Sequence, residues 1–197
     1  LCEICNNFIQ SGAAVLDAGC GECYYSSAIK KSLSEQIELS TQTLTNIPPR
    51  IRMTTLYAVS QSFNGRVVNT CNWSEDYVGY STKYGDLAGD FAILSRYTVR
   101  EVITMGCVLA KEFGIPVELI AKTPSDGMCG KTDEDNLGFT YEQLDDYILG
   151  TAAVDEKAVK KIEHLHKTTR HKYQLMPTFY PTKEKYEQIN MFDGAEV

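Results

Sequence analysis

Polar side chains that could bind a nucleotide or a metal ion follow a short β-branched run near the middle of the chain. The run Arg66-Val67-Val68 predicts a buried strand. Thr70, Glu75, Lys83 and Asp90 follow it and supply a hydroxyl, two carboxylates and an ammonium group. Because ligands of open α/β sheets lie beyond the carboxyl ends of the strands, a strand that leads into such residues predicts a nucleotide or metal site.

The surrounding sequence predicts the elements that would position this site. A helix is expected over residues 46–65, because Asn46 suits an N-cap and the two prolines that follow suit a first turn. The helix that opens at the capping box Thr98-x-x-Glu101 is expected to turn Leu109 and Phe113 inward. A second capping box, Thr140-x-x-Gln143, opens a helix predicted over residues 140–149. Further helices are predicted over residues 24–34, 74–80 and 158–169. Residues 123–138 predict a long binding loop.

Length, charge and hydropathy limit the class of protein. A chain of 197 residues suits one domain of ordinary size. The formal charge of -7 and the pI near 5.0 argue against binding to nucleic acid, which needs clustered Lys and Arg. No apolar run reaches the ~20 residues of a membrane span, and no secretory pattern is seen at the start. We therefore expect a cytoplasmic protein that contacts neither nucleic acid nor membrane.

The cysteines leave a zinc site open. Seven cysteines without a secretory pattern indicate reduced thiols. Cys2, Cys5, Cys20 and Cys23 form two Cys-x2-Cys pairs that resemble a four-thiolate zinc site. The 14 residues between the pairs contain apolar runs that are typical of buried structure instead.

The first 34 residues differ from the rest of the chain. Residues 14–22 predict a strand that runs into a glycine-rich turn, with the sequence Ala-Val-Leu-Asp-Ala-Gly-Cys-Gly-Glu. They weakly resemble the first motif of S-adenosylmethionine-dependent methyltransferases, but no second strand ending in an acidic residue follows. We expect residues 1–34 to be a segment of separate origin, joined to one domain over residues 35–197.

Most of that second part resembles the NAD⁺ synthetases that use free ammonia. The matching segments, in order, are residues 38–43, 46–57, 69–90, 122–127, 130–138, 144–147 and 171–172. They include Arg-Ile-Arg-Met-Thr-Thr-Leu-Tyr at 50–57 and Thr-Lys-Tyr-Gly-Asp at 82–86. The resemblance implies an α/β fold with a parallel sheet flanked by helices, of the adenine nucleotide alpha-hydrolase-like, PP-loop type, shortened at its N-terminus.

The resemblance also implies an activity. Such enzymes amidate deamido-NAD⁺ to NAD⁺ with ammonia through an acyl-adenylate, and they need ATP and Mg²⁺. They act as homodimers. Carried over by motif, Glu75 is implied as the magnesium ligand and, with Lys83, as a catalytic residue. Thr70 and Ser125 are implied to contact ATP.

The deamido-NAD⁺ site is implied by a second set of residues. These are Arg50, Lys83, Asp90, His171 and Lys172. Arg and Lys suit a pyrophosphate, and an acid suits ribose hydroxyls. For Arg50 and His171 a solvated surface position is an equal alternative.

Two departures bear on catalysis. Val99 stands where many relatives have a lysine that contacts ATP, and the Ser-Gly-Gly-x-Asp-Ser loop of the family is absent from these residues. The backbone donors of that loop neutralise the departing pyrophosphate, so we expect its absence to impair activity. The alternative interpretation is an inactive nucleotide-binding or dimer-forming remnant, with or without the zinc site.

Overall fold

The computed structural model describes residues 24–125 and 130–178. The zinc candidates Cys2, Cys5, Cys20 and Cys23 lie outside the described residues, as does the strand and turn expected over residues 14–22. The account below concerns the described residues alone.

Helices and two parallel strands alternate along the chain. The elements are α1 (Tyr24–Ser34), α2 (Thr41–Ser62), β1 (Val68–Asn69), α3 (Trp73–Val78), β2 (Phe91–Ala92), α4 (Val99–Phe113), α5 (Val117–Ile120), α6 (Asp133–Leu137), α7 (Tyr141–Leu149), α8 (Glu156–Thr169) and a 3-10 turn (Arg170–Lys172). The strands pair with Val68 opposite Phe91 and Asn69 opposite Ala92. None of the described helices is both long enough and apolar enough to cross a bilayer.

Side-chain caps define where the helices begin and end. Reciprocal capping boxes open α3 at Asn72, α4 at Thr98, α6 at Thr132 and α7 at Thr140. The boxes at Thr98 and Thr140 confirm the prediction from the sequence. Each box satisfies backbone N–H groups that have no partner within the helix.

The predicted start of α2 is wrong. Ser40 is the N-cap and accepts a hydrogen bond from Thr43 N at 3.1 Å, so the helix begins five residues before Asn46. Pro48 and Pro49 therefore lie inside α2, and both are buried. A proline inside a helix removes a backbone hydrogen bond and destabilises the helix by about 3 kcal/mol. The burial of both prolines offsets this local cost.

The segment expected to be a loop over residues 123–138 contains α6. This helix opens with the capping box of Thr132 and Asp135, in which Asp takes the place of the more usual Glu or Gln. Leu137 at the end of α6 is buried in the core. The loop is thus shorter than the sequence predicts.

The main core lies between α3, α6, α7 and α8. Its buried residues are Val78, Leu137, Phe139, Tyr141, Leu144, Ala158 and Ile162. Leu144 and Ile162 have no exposed surface. The core includes Val78 at the end of α3, whereas the first turn of α3 follows β1 in the chain.

The expectation that α4 is buried along Leu109 and Phe113 is wrong for the described residues. These side chains are 45% and 67% exposed, and α4 contacts only α5 and α7 extensively. The buried strand predicted near Val67 is confirmed in part, because Val67 and Asn69 are buried whereas Val68 is exposed.

The close approach of α3 and α8 depends on a glycine. Gly79 ends α3 with φ of +66°, and a Cβ there would lie 2.3 Å from the Thr169 side chain. We expect Gly79→Ala to lower the free energy of unfolding by about 2–4 kcal/mol, because it adds a clash to an unfavourable φ. Chemical denaturation measures the change.

Gly150→Ala is the matched control. Gly150 ends α7 with φ of +65°, but nothing lies within 4 Å of the added Cβ. It should show only the conformational penalty of about 1 kcal/mol. Equal losses for the two variants would contradict the packing of α3 on α8.

Candidate functional site

The turn after β1 is held by Asn69. Asn69 Oδ1 accepts a hydrogen bond from Cys71 N at 2.9 Å, and Asn69 Nδ2 donates to Asp86 O at 3.0 Å. A Cβ on Gly89 would lie 2.7 Å from the backbone nitrogen of Asn69, so a glycine allows the two segments to meet. This turn leaves Thr70, the predicted ATP contact, exposed at the carboxyl end of β1.

Glu75 lies in the first turn of α3. Asn72 N donates to Glu75 Oε2 at 3.0 Å, and Glu75 N donates to Asn72 Oδ1 at 3.0 Å. The pKa of Glu75 is raised to about 7, chiefly by burial and also by the charges of Asp133, Asp76 and Asp86, while the hydrogen bond from Asn72 N opposes the shift. The carboxyl is therefore fixed in position and easily protonated near neutral pH.

Four carboxyl groups from three segments form what we call the acidic cluster: Glu75, Asp76, Asp86 and Asp133. Burial also raises the pKa of Asp76, to about 6. Tyr141 OH donates to Asp133 Oδ2 at 3.3 Å, in a buried position. Burial thus shifts Glu75 and Asp76 toward the protonated form, and a bound cation would favour their ionised form.

Asp133 was not predicted from the sequence. It is the first residue of α6, and its backbone N donates to Pro124 O at 3.1 Å. Ser125 Oγ, the predicted ATP contact, donates to Lys131 O at 3.0 Å across the base of the same loop. The loop that carries Ser125 is thus anchored next to the acidic cluster.

The acidic cluster fits magnesium better than a metal held by protein alone. Within residues 24–125 and 130–178, no three Asp, Glu, His or Cys side chains are arranged to hold a metal ion. Magnesium is usually held by one or two carboxylates together with water and substrate phosphates. Glu75 Oε2 accepts the Asn72 hydrogen bond, and Oε1 is the oxygen that the capping box does not use.

Four predicted substrate residues lie together and form what we call the basic cluster: Arg50, Lys83, His171 and Lys172. Arg50 Nε donates to Lys83 O at 3.3 Å, and Lys83 Nζ donates to His171 O at 2.8 Å. The cluster thus joins α2, the loop after α3 and the 3-10 turn at the end of α8.

Lys172 is the most enclosed member of the basic cluster. Its Nζ donates to Gly79 O and Ser81 O, both at 2.7 Å. Burial lowers the pKa of Lys172, and Asp86 opposes this shift. The charge of Asp86 also raises the pKa of Glu75, so Asp86 links the acidic and the basic cluster electrostatically.

Asp90 is hydrogen-bonded to Val67, the residue that precedes β1. Its Oδ2 accepts from Val67 N at 2.7 Å, and its own N donates to Val67 O at 2.8 Å. These bonds place Asp90 at the start of the paired strands, whereas Thr70 follows their end. Asp90 lines a separate cavity of about 370 Å³ together with Tyr57, Ser60, Gln61, Asn64, Gly65 and Arg66.

Comparison with known sequences gives a consistent result. The family model for NAD synthase matches residues 22–176. The chain is 41% identical over 137 residues to the NH(3)-dependent NAD(+) synthetase of Alkaliphilus oremlandii, covering 68% of this chain and 52% of that protein. It is 36% identical over 166 residues to the enzyme of the same description from Mesoplasma florum, covering 83% and 65%. The chain thus spans about half to two-thirds of these relatives.

Solved structures show the same fold. The NMN synthetase of Francisella tularensis is 34% identical with a TM-score of 0.70, over 79% of this chain and 63% of that one. The NH3-dependent NAD synthetase of Campylobacter jejuni, in complex with the nitrate ion, is 27% identical with a TM-score of 0.55, over 78% and 62%. These matches and the parallel pairing of β1 with β2 confirm the predicted α/β fold.

The raised pKa of Glu75 predicts a gain in stability when its charge is removed. The folded state holds a proton that the unfolded state releases between about pH 4.5 and pH 7, so wild-type stability falls as pH rises through this window. Glu75→Gln keeps an acceptor for Asn72 N. We expect it to stabilise the protein by about 1–2 kcal/mol at pH 8, and by much less at pH 5.

Thermal denaturation at the two pH values measures this difference. Glu112→Gln, an exposed glutamate of α4, is the control and should show the same small change at both. A Glu75→Gln variant less stable than wild type at pH 8 would contradict the electrostatic account of the acidic cluster.

Proposed function

The chain belongs to the NAD synthase family, and on this premise we propose that it binds ATP and deamido-NAD⁺ and amidates the latter with ammonia. One observation carries the proposal. A carboxyl with a raised pKa, Glu75, lies on the first helix after a parallel strand, and Asp86 couples it electrostatically to the basic cluster. Negative and positive groups are thus placed side by side, as a magnesium nucleotide and a pyrophosphate require.

The proposed chemistry turns a poor leaving group into a good one. A carboxylate does not react with ammonia at neutral pH. Transfer of the adenylyl group of ATP to the carboxylate releases pyrophosphate and gives an acyl-adenylate. Ammonia then attacks the carbonyl carbon, and AMP leaves with the electron pair of the broken acyl-oxygen bond.

The acidic cluster is proposed to serve the ATP side. Magnesium, when bound, offsets the negative charge of the phosphates. Glu75 would hold it, and the hydroxyls of Thr70 and Ser125 would contact ATP. Thr70 is exposed at the strand end, and the anchoring of Asp133 to Pro124 supports the placement of Ser125 near the acidic cluster.

The basic cluster is proposed to serve the deamido-NAD⁺ side. A lysine ammonium has three donors, and Lys83 uses one of them for His171 O, which leaves two for pyrophosphate oxygens. Lys172 uses two donors on backbone carbonyls and keeps one. Lys83 is therefore the stronger candidate for direct contact, and Lys172 mainly holds the turn beside it. Asp90 would contact the substrate from the separate cavity that it lines.

A homodimer is part of the proposal. The exposed apolar side chains Leu109 and Phe113 support it. They lie one turn apart on α4 and are 45% and 67% exposed, and an apolar helix face of this kind is typical of interfaces. The mass in solution, measured by light scattering, tests it.

A shorter substrate is the second candidate. The NMN synthetase of Francisella tularensis superimposes with a TM-score of 0.70, against 0.55 for the Campylobacter jejuni NAD synthetase. This observation favours the deamido mononucleotide as the acceptor of the amide. The reaction and the roles of the acidic cluster would be unchanged.

Pyrophosphate release with either substrate decides between the two candidates. With ATP, Mg²⁺ and ammonia present, we expect release to depend on deamido-NAD⁺, with at least a tenfold preference over the mononucleotide. The reverse preference supports the second candidate. Binding of deamido-NAD⁺ without ATP-dependent release would contradict the enzymatic proposal and support an inactive remnant.

Lys83→Met tests the substrate side of the site. A charge-assisted hydrogen bond contributes about 1.5–3 kcal/mol, so its loss should weaken deamido-NAD⁺ binding by about 10–100-fold. The affinity for Mg·ATP should stay within about threefold of wild type. Calorimetry measures both. Lys111→Met, an exposed lysine at the end of α4, is the control and should bind both ligands as wild type does. Unchanged deamido-NAD⁺ binding in Lys83→Met would remove Lys83 from the site.

A further inference from the structure

A buried hydrogen bond ties α3 to α7 one residue before Glu75. Ser74 Oγ donates to Asp145 Oδ1 at 2.5 Å, and the two residues are separated by 71 positions in the chain. Ser74 is 0% exposed and Asp145 is 1% exposed. A carboxylate this deeply buried is tolerated only when its oxygens accept hydrogen bonds.

The same pair also holds the start of α4. Val99 N donates to Ser74 Oγ at 3.0 Å, and Arg100 N donates to Asp145 Oδ2 at 2.8 Å. Trp73 N donates to Tyr97 O at 2.8 Å, which adds a backbone bond between the beginnings of α3 and α4. Three helices therefore meet at one carboxylate and one hydroxyl.

These bonds fix a helix that could not fix itself. α3 has six residues, and a helix of this length is unstable without tertiary contacts. Another anchor of its first turn, the capping box with Asn72, uses Oε2 of Glu75 itself. A ligand of Glu75 would share that carboxylate with the capping box, whereas the bond between Ser74 and Asp145 involves no atom of Glu75.

We propose that Asp145 is a positioning residue, which, through Ser74, holds Glu75 in the orientation needed to bind Mg·ATP. The inference rests on the proposed function, because it takes Glu75 as the group that meets the nucleotide. Asp145 touches no substrate in this scheme. Its role is to hold the first turn of α3 through bonds that do not involve the carboxylate of Glu75.

Asp145→Asn is the variant that tests this role. Asn matches Asp in shape, but one of its two positions carries an NH₂ group. That NH₂ group faces either the Arg100 N–H or the Ser74 hydroxyl, so at least one of these two donors loses its acceptor. We expect Mg·ATP affinity, measured by calorimetry, to fall about tenfold, and the backbone amides of α3 to exchange hydrogen faster.

Asp146→Asn is the matched control on the same helix. Asp146 pairs with Arg100 Nη2 at 2.9 Å near the surface and also accepts a hydrogen bond from Thr151 Oγ1, so its described side-chain partners lie outside α3. Exposed ion pairs contribute little to stability, so Mg·ATP affinity and α3 exchange should match wild type. Ser74→Ala is the second variant, for the case that Asp145→Asn does not fold. It leaves the bond between Arg100 and Asp145 and should lower Mg·ATP affinity by a similar factor.

The outcomes separate this inference from the proposed function. Wild-type protein that binds no Mg·ATP overturns both. Wild-type binding with unchanged affinity in folded Asp145→Asn and Ser74→Ala overturns the positioning role alone, even if both variants melt at lower temperature. An equal loss of Mg·ATP and deamido-NAD⁺ affinity also overturns it, because that result indicates general loosening and not a local effect on Glu75.

Discussion

The candidate site depends on the placement of one short helix. α3 has too few residues to be stable alone, so bonds to distant parts of the chain set its position. Its first turn is tied to α4 and α7 through Ser74 and Asp145, and its last turn meets α8 at Gly79. Glu75 lies between these two anchors. The precision of the site therefore comes from buried polar contacts and close packing around α3, and not from the sheet alone.

The charges of the site are arranged at the expense of stability. Burial beside three other carboxyl groups raises the pKa of Glu75, which means that the ionised form is held in an unfavourable environment. The basic cluster lies next to it but is largely occupied with backbone carbonyls. The two clusters thus neutralise each other only in part, and a ligand that carries both a cation and phosphate groups would complete the balance. Stability and binding are in conflict at Glu75, as is common at functional sites.

Local rules predicted the parts of the fold that depend on local bonds. The capping boxes at Thr98 and Thr140 follow from residues three positions apart. The box of Asn72 and Glu75, which opens the helix that carries Glu75, obeys the same rule but was not predicted. The role of Asp133 and the bond between Ser74 and Asp145 could not, because these contacts join residues far apart in the chain. The start of α2 was mispredicted because the tertiary packing of Pro48 and Pro49 overrides their usual place at a helix start. The resemblance to a family grouped Arg50, Lys83, His171 and Lys172, which no periodicity connects.

Binding and catalysis are separable in this chain on the proposed function. Two residues would bind the substrates before any reaction. Lys83 Nζ has donors beyond the one that bonds His171 O, and Glu75 has an oxygen outside its capping box. The Ser-Gly-Gly-x-Asp-Ser loop, which is absent from these residues, would act on the pyrophosphate as it departs. Groups that interact only with the departing charge lower the barrier without changing substrate affinity. On the proposed function, the two clusters would therefore set the affinity for the ligands, whereas the loop would set the rate of adenylate formation.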